Sequence, residues 1–527
     1  MQTIDSEIQS FPSQPNLADD RETVSLRGQH PERFRVPRAV AGFTFVIGIV
    51  LCWLSHRPVW HTDVWGHLAY GRLIDETGTL PLTEPLMPLS RDVPFVDTAW
   101  MSQVIGFRAY ERFGIPAIQF LYAASISVCL SLLVWRMYRQ TGNVPFCVVG
   151  GGLFCWVNWQ QLAIVRPQLA GLVCFVLLFV LLSGQTWRRL YWIALPVLFA
   201  LWANLHGSFP VGLVLLGCFC IGRAGDVFLQ SKRFSAVLGD LQFRRYLLLS
   251  FTCAGAVLAN PYGTGLYREV LTVASHPNLV DLVEWQPLSL NMKQGQAAAV
   301  VASGLMIAYW FSPRRISMTE VLLLVGLGAG CLWASRMLLW WATVASYCFV
   351  LHGSAVWNRM SDNKYPRQPS AGNSTWTVVT AGLVWTFLAL TPLGMSLLYG
   401  PRGESASRTS LSALTPIDAV MYLNQFPPKG QIFNSYEWGD YLLWAGPENL
   451  DVFVASHAHL IPGDVWRSYL RVIRVKSDWS EILDRYHIDT VVIDFVNQSV
   501  LFGELKRHGN LRVAYDDGFA AVFVRQN

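Results

Sequence analysis

Hydrophobic and polar positions fall into two regimes along the chain. From Val40 to Leu398 apolar stretches of helical length recur between short polar connections, and beyond Gly400 the apolar runs shorten to strand length with turn residues between them. A bilayer core is crossed by roughly 20 apolar residues in a helix, and about eleven stretches meet that measure. They lie at 39–55, 116–135, 144–163, 167–184, 189–205, 209–224, 246–261, 296–312, 318–334, 337–353 and 375–398. The prediction is an α-helical polytopic membrane protein with its transmembrane domain over 39–398. Residues 1–38 are rich in Ser, Pro, Asn, Asp and Gln and read as a disordered cytoplasmic tail. The first apolar run starts too far from Met1 for a secretory signal and is expected to stay as an anchor.

Residues 405–527 read as a folded extracytoplasmic α/β domain. Gln431–Ser435, Asp451–Ser456 and Asp489–Phe495 have the composition of buried strands, and helical patterns fall near 416–425, 462–474, 478–487 and 498–508. Arg512–Tyr515 and Ala520–Val524 suggest an antiparallel pair closed by the turn Asp516-Asp517-Gly518.

Composition strengthens the membrane reading. The chain is 52% hydrophobic and 14% charged, against roughly 25% charged for an average soluble protein. A net charge of +5 spread over 527 residues does not call for a nucleic-acid partner. The basic residues report orientation instead: with the N-terminus inside, roughly 19 Lys and Arg fall on the cytoplasmic side and about 9 outside. That alternation puts a first outer loop at 56–115, a second at 261–295 and the C-terminus outside the cytoplasm. All 10 cysteines lie in apolar stretches, none beyond Cys348, and there they pack as small hydrophobes.

Few charges remain, and those on the outer side carry the candidate chemistry. In His61-Thr-Asp-Val-Trp-Gly-His-Leu-Ala-Tyr-Gly-Arg, the residues Asp63, His67 and Tyr70 share one helical face. A carboxylate at a low-dielectric boundary beside a histidine can take a proton from an acceptor hydroxyl; it can equally cap the helix while the histidine rests among headgroups. Asp97 precedes a second amphipathic helix, ending near Phe113, as an N-cap or as a substrate or metal ligand. Arg166 and Gln168, Asn204 and His206, Asn260-Pro-Tyr262-Gly, Glu284-Trp285 and Arg336 all fall at outer ends of spans. Arginine there suits a phosphate, which it meets with planar bidentate donors, although an arginine near a helix end also snorkels to headgroups. The Asn-x-His-Gly around His206 is also good helix-ending chemistry. In the C-terminal domain Asn434, Glu437, Trp438, Asp440, His457 and His459 follow strand ends, where α/β domains bind ligands and also make ordinary turns.

These residues resemble the GT-C class of membrane glycosyltransferases, which includes protein O-mannosyltransferases, the aminoarabinose transferase of lipid A and bacterial oligosaccharyltransferase. Asp63-Val-Trp-Gly-His-Leu-Ala-Tyr-Gly-Arg, Trp202-Ala-Asn-Leu-His-Gly-Ser-Phe, Asn260-Pro-Tyr-Gly and Glu284-Trp285 are similar to a largely uncharacterised bacterial family of that class. The resemblance implies a cytoplasmic (inner) membrane location and transfer of a sugar from a polyprenyl-phosphate donor to a glycan, lipid or protein acceptor on the outer face. It implies Asp63 as the catalytic or metal-binding carboxylate, with inversion at the anomeric carbon. The class often carries adjacent acids and a divalent cation such as Mg or Mn. Here Asp63 stands between Thr62 and Val64, so a second acid must come from elsewhere, with Asp97 and Glu284 as candidates. The expected catalytic set is Asp63, His67 and Glu284. Arg166, Gln168, Asn204, His206, Tyr262, Arg336 and Asp97 are expected to bind substrate and phosphate. Two other readings stand beside it: a transporter or flippase of a lipid-linked or anionic substrate, and a membrane-anchored binding module.

Overall fold

The structure, a computed structural model, describes residues 36–60, 63–184, 186–361, 375–399 and 410–526. Residues 1–35 of the predicted tail lie outside them. The helices of the membrane domain are α1 (Arg38–Ser55), α2 (Asp63–Thr77), α3 (Trp100–Phe113), α4 (Ile115–Thr141), α5 (Val144–Val157), α6 (Trp159–Ala163), α7 (Gln168–Leu182), α8 (Tyr191–Leu205) and α9 (Phe209–Ser231). They continue as α10 (Phe234–Gly239), α11 (Leu241–Ala256), α12 (Gly265–Ala274), α13 (Lys293–Phe311), α14 (Met318–Trp333), α15 (Leu338–Met360), α16 (Thr375–Leu390) and α17 (Pro392–Tyr399).

By length and composition, α1, α4, α9 and the segment Ser335–Met360 that contains α15 can each cross a membrane alone. Five more, α5, α7, α8, α14 and α16, are apolar but shorter. Helix length and composition by themselves give 4 crossings among the described residues, and a count of eleven requires shorter helices to cross as well. One of these has a local cause: α5 ends at Asn158, which breaks it from α6. The apolar helices and their exposed Leu, Val, Phe and Trp side chains nonetheless make this an integral membrane protein.

The C-terminal domain holds a 4-stranded sheet of order β1-β2-β4-β3, with β1 (Ile432–Asn434) parallel to β2 (Thr490–Asp494). The hairpin of β3 (Leu511–Asp516) and β4 (Ala520–Arg525) closes it through the expected turn, where Gly518 takes φ 81°. Residues 451–456, expected as a strand, are buried but do not join the sheet. The Asn434 side chain replaces the ladder there: Oδ1 accepts from Phe453 N–H at 2.9 Å and Nδ2 donates to the Val454 carbonyl at 2.8 Å.

This domain sits on α2 and on the outer loop around 277–281. Trp65, 3% exposed, packs its ring against Tyr441 and Trp444. Asn278 Nδ2 donates to the carbonyls of Ala458 and Ile461 at 2.9 and 2.8 Å, and Asp281 accepts from Trp466 Nε1 at 3.1 Å. Two glycines let α2 be approached from both sides. Gly71 lies against the Gln103 carbonyl of α3, and a Cβ on Gly66 would stand 2.6 Å from the Asp440 carboxyl.

Gly66→Ala is therefore expected to cost about 1–3 kcal/mol by overpacking and to loosen the C-terminal domain. A lower melting temperature and faster proteolytic release of residues after 410 would register it. Gly42→Ala, with open space around its Cβ, should leave both unchanged.

Candidate active site

The helix ends on the side of the C-terminal domain, together with that domain, enclose a cluster built around Arg166. This residue follows α6 in extended chain that ends at Pro167, so its side chain is delivered where α2 begins and where the short helix 283–285 passes. Arg166 Nε lies 2.5 Å from Asp63 Oδ2, and NH1 donates to Glu284 Oε2 at 2.5 Å. The Nε approach is an ion-pair contact out of hydrogen-bonding line, because that N–H has no hydrogen-bond acceptor in line with it. Burial would weaken the Arg166 charge, and the Asp63 and Glu284 carboxylates outweigh it, so its pKa is raised. Burial likewise pushes Glu284 upward, but Arg166 and Arg336 overcome this and hold its carboxyl below the usual range.

Arg336 arrives from the other direction, on the short turn Ser335–Met337 ahead of α15. Ser335 fastens that turn to the loop, donating its N–H to the Gln286 carbonyl at 2.8 Å and its Oγ to Glu284 O at 3.1 Å. The Arg336 guanidinium lies over the Trp285 ring, 4.3 Å from its centroid, and makes no ion pair within 4.0 Å among the described residues. The two arginines thus differ: one is bound between carboxylates, and the other rests on an aromatic face with its donors unspent.

Histidines fill the space around them. His67 meets His457 of the C-terminal domain edge to face at 5.4 Å, and His457 meets Tyr70 at 4.9 Å and His459 at 5.8 Å. Burial pushes His67 down to about 4 and His206, His457 and His459 down to about 3, with neighbouring arginines or histidines adding to the effect. Tyr436 of the C-terminal domain completes the roof. Its hydroxyl donates to Ser456 O at 2.7 Å, and burial followed by the Asp63 and Glu284 charges raises its pKa.

The remaining candidates separate from this cluster. Asp97 is not the cap of α3, which starts three residues later behind Ala99; its Oδ1 accepts from Ala99 N–H at 3.0 Å and from Gln103 Nε2 at 3.1 Å. Burial raises the Asp97 carboxyl to about 7. Tyr262 accepts from Asp97 N–H at 3.1 Å, and Asn204 accepts from Trp100 Nε1 while donating to the carbonyls of Ala200 and Ala259. These are structural ties between loop and helix ends. Gln168 is buried at the start of α7 and makes no side-chain hydrogen bond to the cluster among the described residues. In the C-terminal domain Asn434, Trp438 and Asp440 are also buried in packing. The sequence singles out Trp285 only as part of the Glu284-Trp285 motif, not as the seat of Arg336, and carries no signal for Gln103.

Asp63 and Glu284 both face Arg166, and among the described residues no group of three or more His, Cys, Asp or Glu is placed to hold a metal ion.

No protein-family model and no curated protein matches the chain. Among solved structures, it is similar to the archaeal oligosaccharyltransferase AglB from Archaeoglobus fulgidus in complex with an inhibitory peptide and a dolichol-phosphate. The TM-score is 0.52 at 12% identity, over 92% of this chain and 74% of that one. A second Archaeoglobus fulgidus oligosaccharyltransferase structure, tethered with an acceptor peptide containing the NVT sequon, gives 0.50 at 13% identity over the same shares. ArnT from Cupriavidus metallidurans in the apo state gives 0.49 at 14% identity, over 92% of this chain and 96% of that one. The fold is that of the GT-C glycosyltransferases.

The site's electrostatics make a prediction for stability. The four imidazoles stay neutral in the folded chain, whereas in the unfolded chain they protonate below about 6.5. Their contribution is complete above that pH and is lost as the pH falls from about 6.5 toward 3–4. Asp97 and Glu84 oppose this, since burial raises both and their penalty fades on acidification. Four groups outweigh two, so the melting temperature followed by tryptophan fluorescence should drop between about pH 7.5 and 5. A flat or rising curve would contradict the assignment of neutral, buried histidines.

Proposed function

We propose that this protein transfers a sugar from a polyprenyl-phosphate carrier to an acceptor hydroxyl at the outer membrane–water boundary of the cytoplasmic membrane. The observation that carries the reading is the pairing of a fixed anion, Asp63 held by Arg166, which Glu284 also engages, with a second arginine, Arg336, that makes no ion pair among the described residues and faces an anionic ligand with its donors. The GT-C fold supports it at the level of fold alone.

Asp63 takes the proton of the acceptor hydroxyl, whose oxygen attacks the anomeric carbon from the side opposite the leaving group. The bond from that carbon to the carrier's phosphate oxygen breaks, its electron pair departs with the lipid phosphate, and the anomeric centre inverts. Arg336 meets the charge that grows on the leaving phosphate, where preorganised donors act most strongly. Arg166 holds Asp63 ionised and oriented rather than binding phosphate, and Glu284 balances the two arginines instead of acting as a second base. His67, neutral, orients Asp63, and His206 lines the wall. No step of the proposed reaction is routed through a divalent cation. The tail before α1 is proposed as cytoplasmic and the C-terminal domain as extracytoplasmic. The transporter reading loses ground because the ionisable cluster sits at helix ends and under a docked domain rather than on broken helices in mid-span.

Purified protein in proteoliposomes, given radiolabelled polyprenyl-phosphate sugars and membrane lipid extract, should move label to an acceptor. Asp63→Asn is expected to lower that rate by about 10²–10⁴-fold, and Arg336→Ala to raise the donor requirement as well. Transfer at the wild-type rate by Asp63→Asn would exclude the mechanism.

A further inference from the structure

At the far end of the helix bundle from Arg166 lies a polar pocket that the proposed reaction does not use. Arg166 stands two residues ahead of α7 and Ser183 follows its end. The 15 residues of that helix rise about 22 Å. Ser183 lines a cavity of about 220 Å³ bounded by the ends of α4 and α7, the second half of α9, the starts of α11 and α14 and the middle of α15. Phe179, Phe219, Leu323 and Val344 supply its apolar wall, and charged, hydroxyl and amide side chains supply the rest.

Most charges at this end are answered within the protein. Arg223 forks onto Asp240 at 3.0 and 2.7 Å. Asp226 accepts from Met318 N–H at 3.2 Å and lies 3.5 Å from Arg315, and Arg136 donates to the Ser183 hydroxyl at 3.0 Å. Two lining groups are left over. Arg314 makes no side-chain hydrogen bond and no ion pair within 4.0 Å among the described residues. Glu320 uses Oε2 toward Tyr309 at 3.3 Å and His352 Nε2 at 3.1 Å; its Oε1 has no hydrogen-bond partner, and no Lys or Arg pairs with it, among the described residues.

Two buried hydroxyls face the same space. Tyr246 and Tyr347 line the pocket and are each 5% exposed. They accept from Gln242 at 3.0 Å and from Gln140 at 3.4 Å, and neither donates to an acceptor among the described residues. Leaving a buried donor unmet is costly. Arg314 and Arg136 both lie within electrostatic reach of the Tyr347 hydroxyl. An unpaired guanidinium beside two unspent hydroxyl donors suits a phosphate, whose bonds to such donors are charge-assisted. Glu320 Oε1 suits a group that is both cationic and a donor.

We infer that this pocket binds a membrane lipid whose headgroup joins a phosphate to a primary ammonium. The phosphate meets Arg314, Tyr246 and Tyr347, and the ammonium donates to Glu320 Oε1. One unmatched cation and one unmatched carboxylate in a single small cavity call for a zwitterion, so a headgroup carrying only negative charge leaves Glu320 unanswered. A quaternary ammonium has no N–H to give it. Three of the bounding segments, α4, α9 and the stretch that contains α15, are long and apolar enough to cross a membrane. Their ends place the ligand at a membrane–water boundary, where a phosphate with an apolar anchor is a phospholipid. The inference is independent of the role proposed for Asp63.

The test is native mass spectrometry of the full chain released from nanodiscs holding equal parts of phosphatidylethanolamine, phosphatidylcholine and phosphatidylglycerol. The wild type is expected to retain phosphatidylethanolamine in preference to the other two. Arg314→Ala, at an exposed position where folding is not at stake, should weaken that retention about tenfold, and Arg314→Lys should restore most of it. Glu320→Gln should still hold lipid but lose the preference for phosphatidylethanolamine over phosphatidylcholine. Arg336→Ala, at the other end of the helices, should retain lipid as the wild type does. Equal retention of the three lipids by the wild type, or wild-type retention by Arg314→Ala, would overturn the site. Displacement of the lipid by water-soluble phosphoethanolamine at matched concentration would overturn its assignment to a membrane lipid.

Discussion

The guanidinium of Arg166, held between Asp63 and Glu284, is the contact on which the end of the helices beneath the C-terminal domain depends. The three members come from the start of α2, the extended chain before α7 and the short helix 283–285, segments more than a hundred residues apart. Removing one member of this half-buried set leaves the charge of the others uncompensated. The cluster therefore ties together three loops that apolar packing in the bilayer would leave independent, and it leaves one net negative charge for chemistry among three ionised groups.

Around that cluster the structure packs neutral groups. The C-terminal domain brings His457, His459 and Tyr436 down onto α2, and Trp65 locks the contact from the other side. Neutral imidazoles and a tyrosine close a site without adding charge that would compete with Asp63 or Arg336. The domain is thus a wall of the site as well as a folded unit, which explains why Gly66 and Gly71 have no side chain where Asp440 and the Gln103 carbonyl press in.

Legibility differed by residue. Asp63 was visible because it opens an amphipathic segment in a chain poor in charge, and Arg166, Glu284 and Arg336 were visible as outer-end charges. Their division of labour was not: whether an arginine pairs with a carboxylate or rests on Trp285 depends on loop paths that leave no periodic trace. Asp97 looked like a cap, since an acid ahead of a helix usually is one, yet its carboxyl turns to Gln103 and burial moves its proton. Residues 451–456 had strand composition, but the Asn434 side chain took the place of a neighbouring strand.

The amino-acid sequence by itself determined the membrane class, the positions of the apolar helices, the separate C-terminal α/β unit and the handful of ionisable residues worth testing. Each of these follows from local composition and from periodicity, which act over one element at a time. Tertiary structure decided which charges meet, which histidines stay neutral and how the C-terminal domain closes the site. Those outcomes depend on distances between segments far apart in the chain, where Coulomb energy and desolvation are set by the enclosing protein rather than by neighbours in sequence.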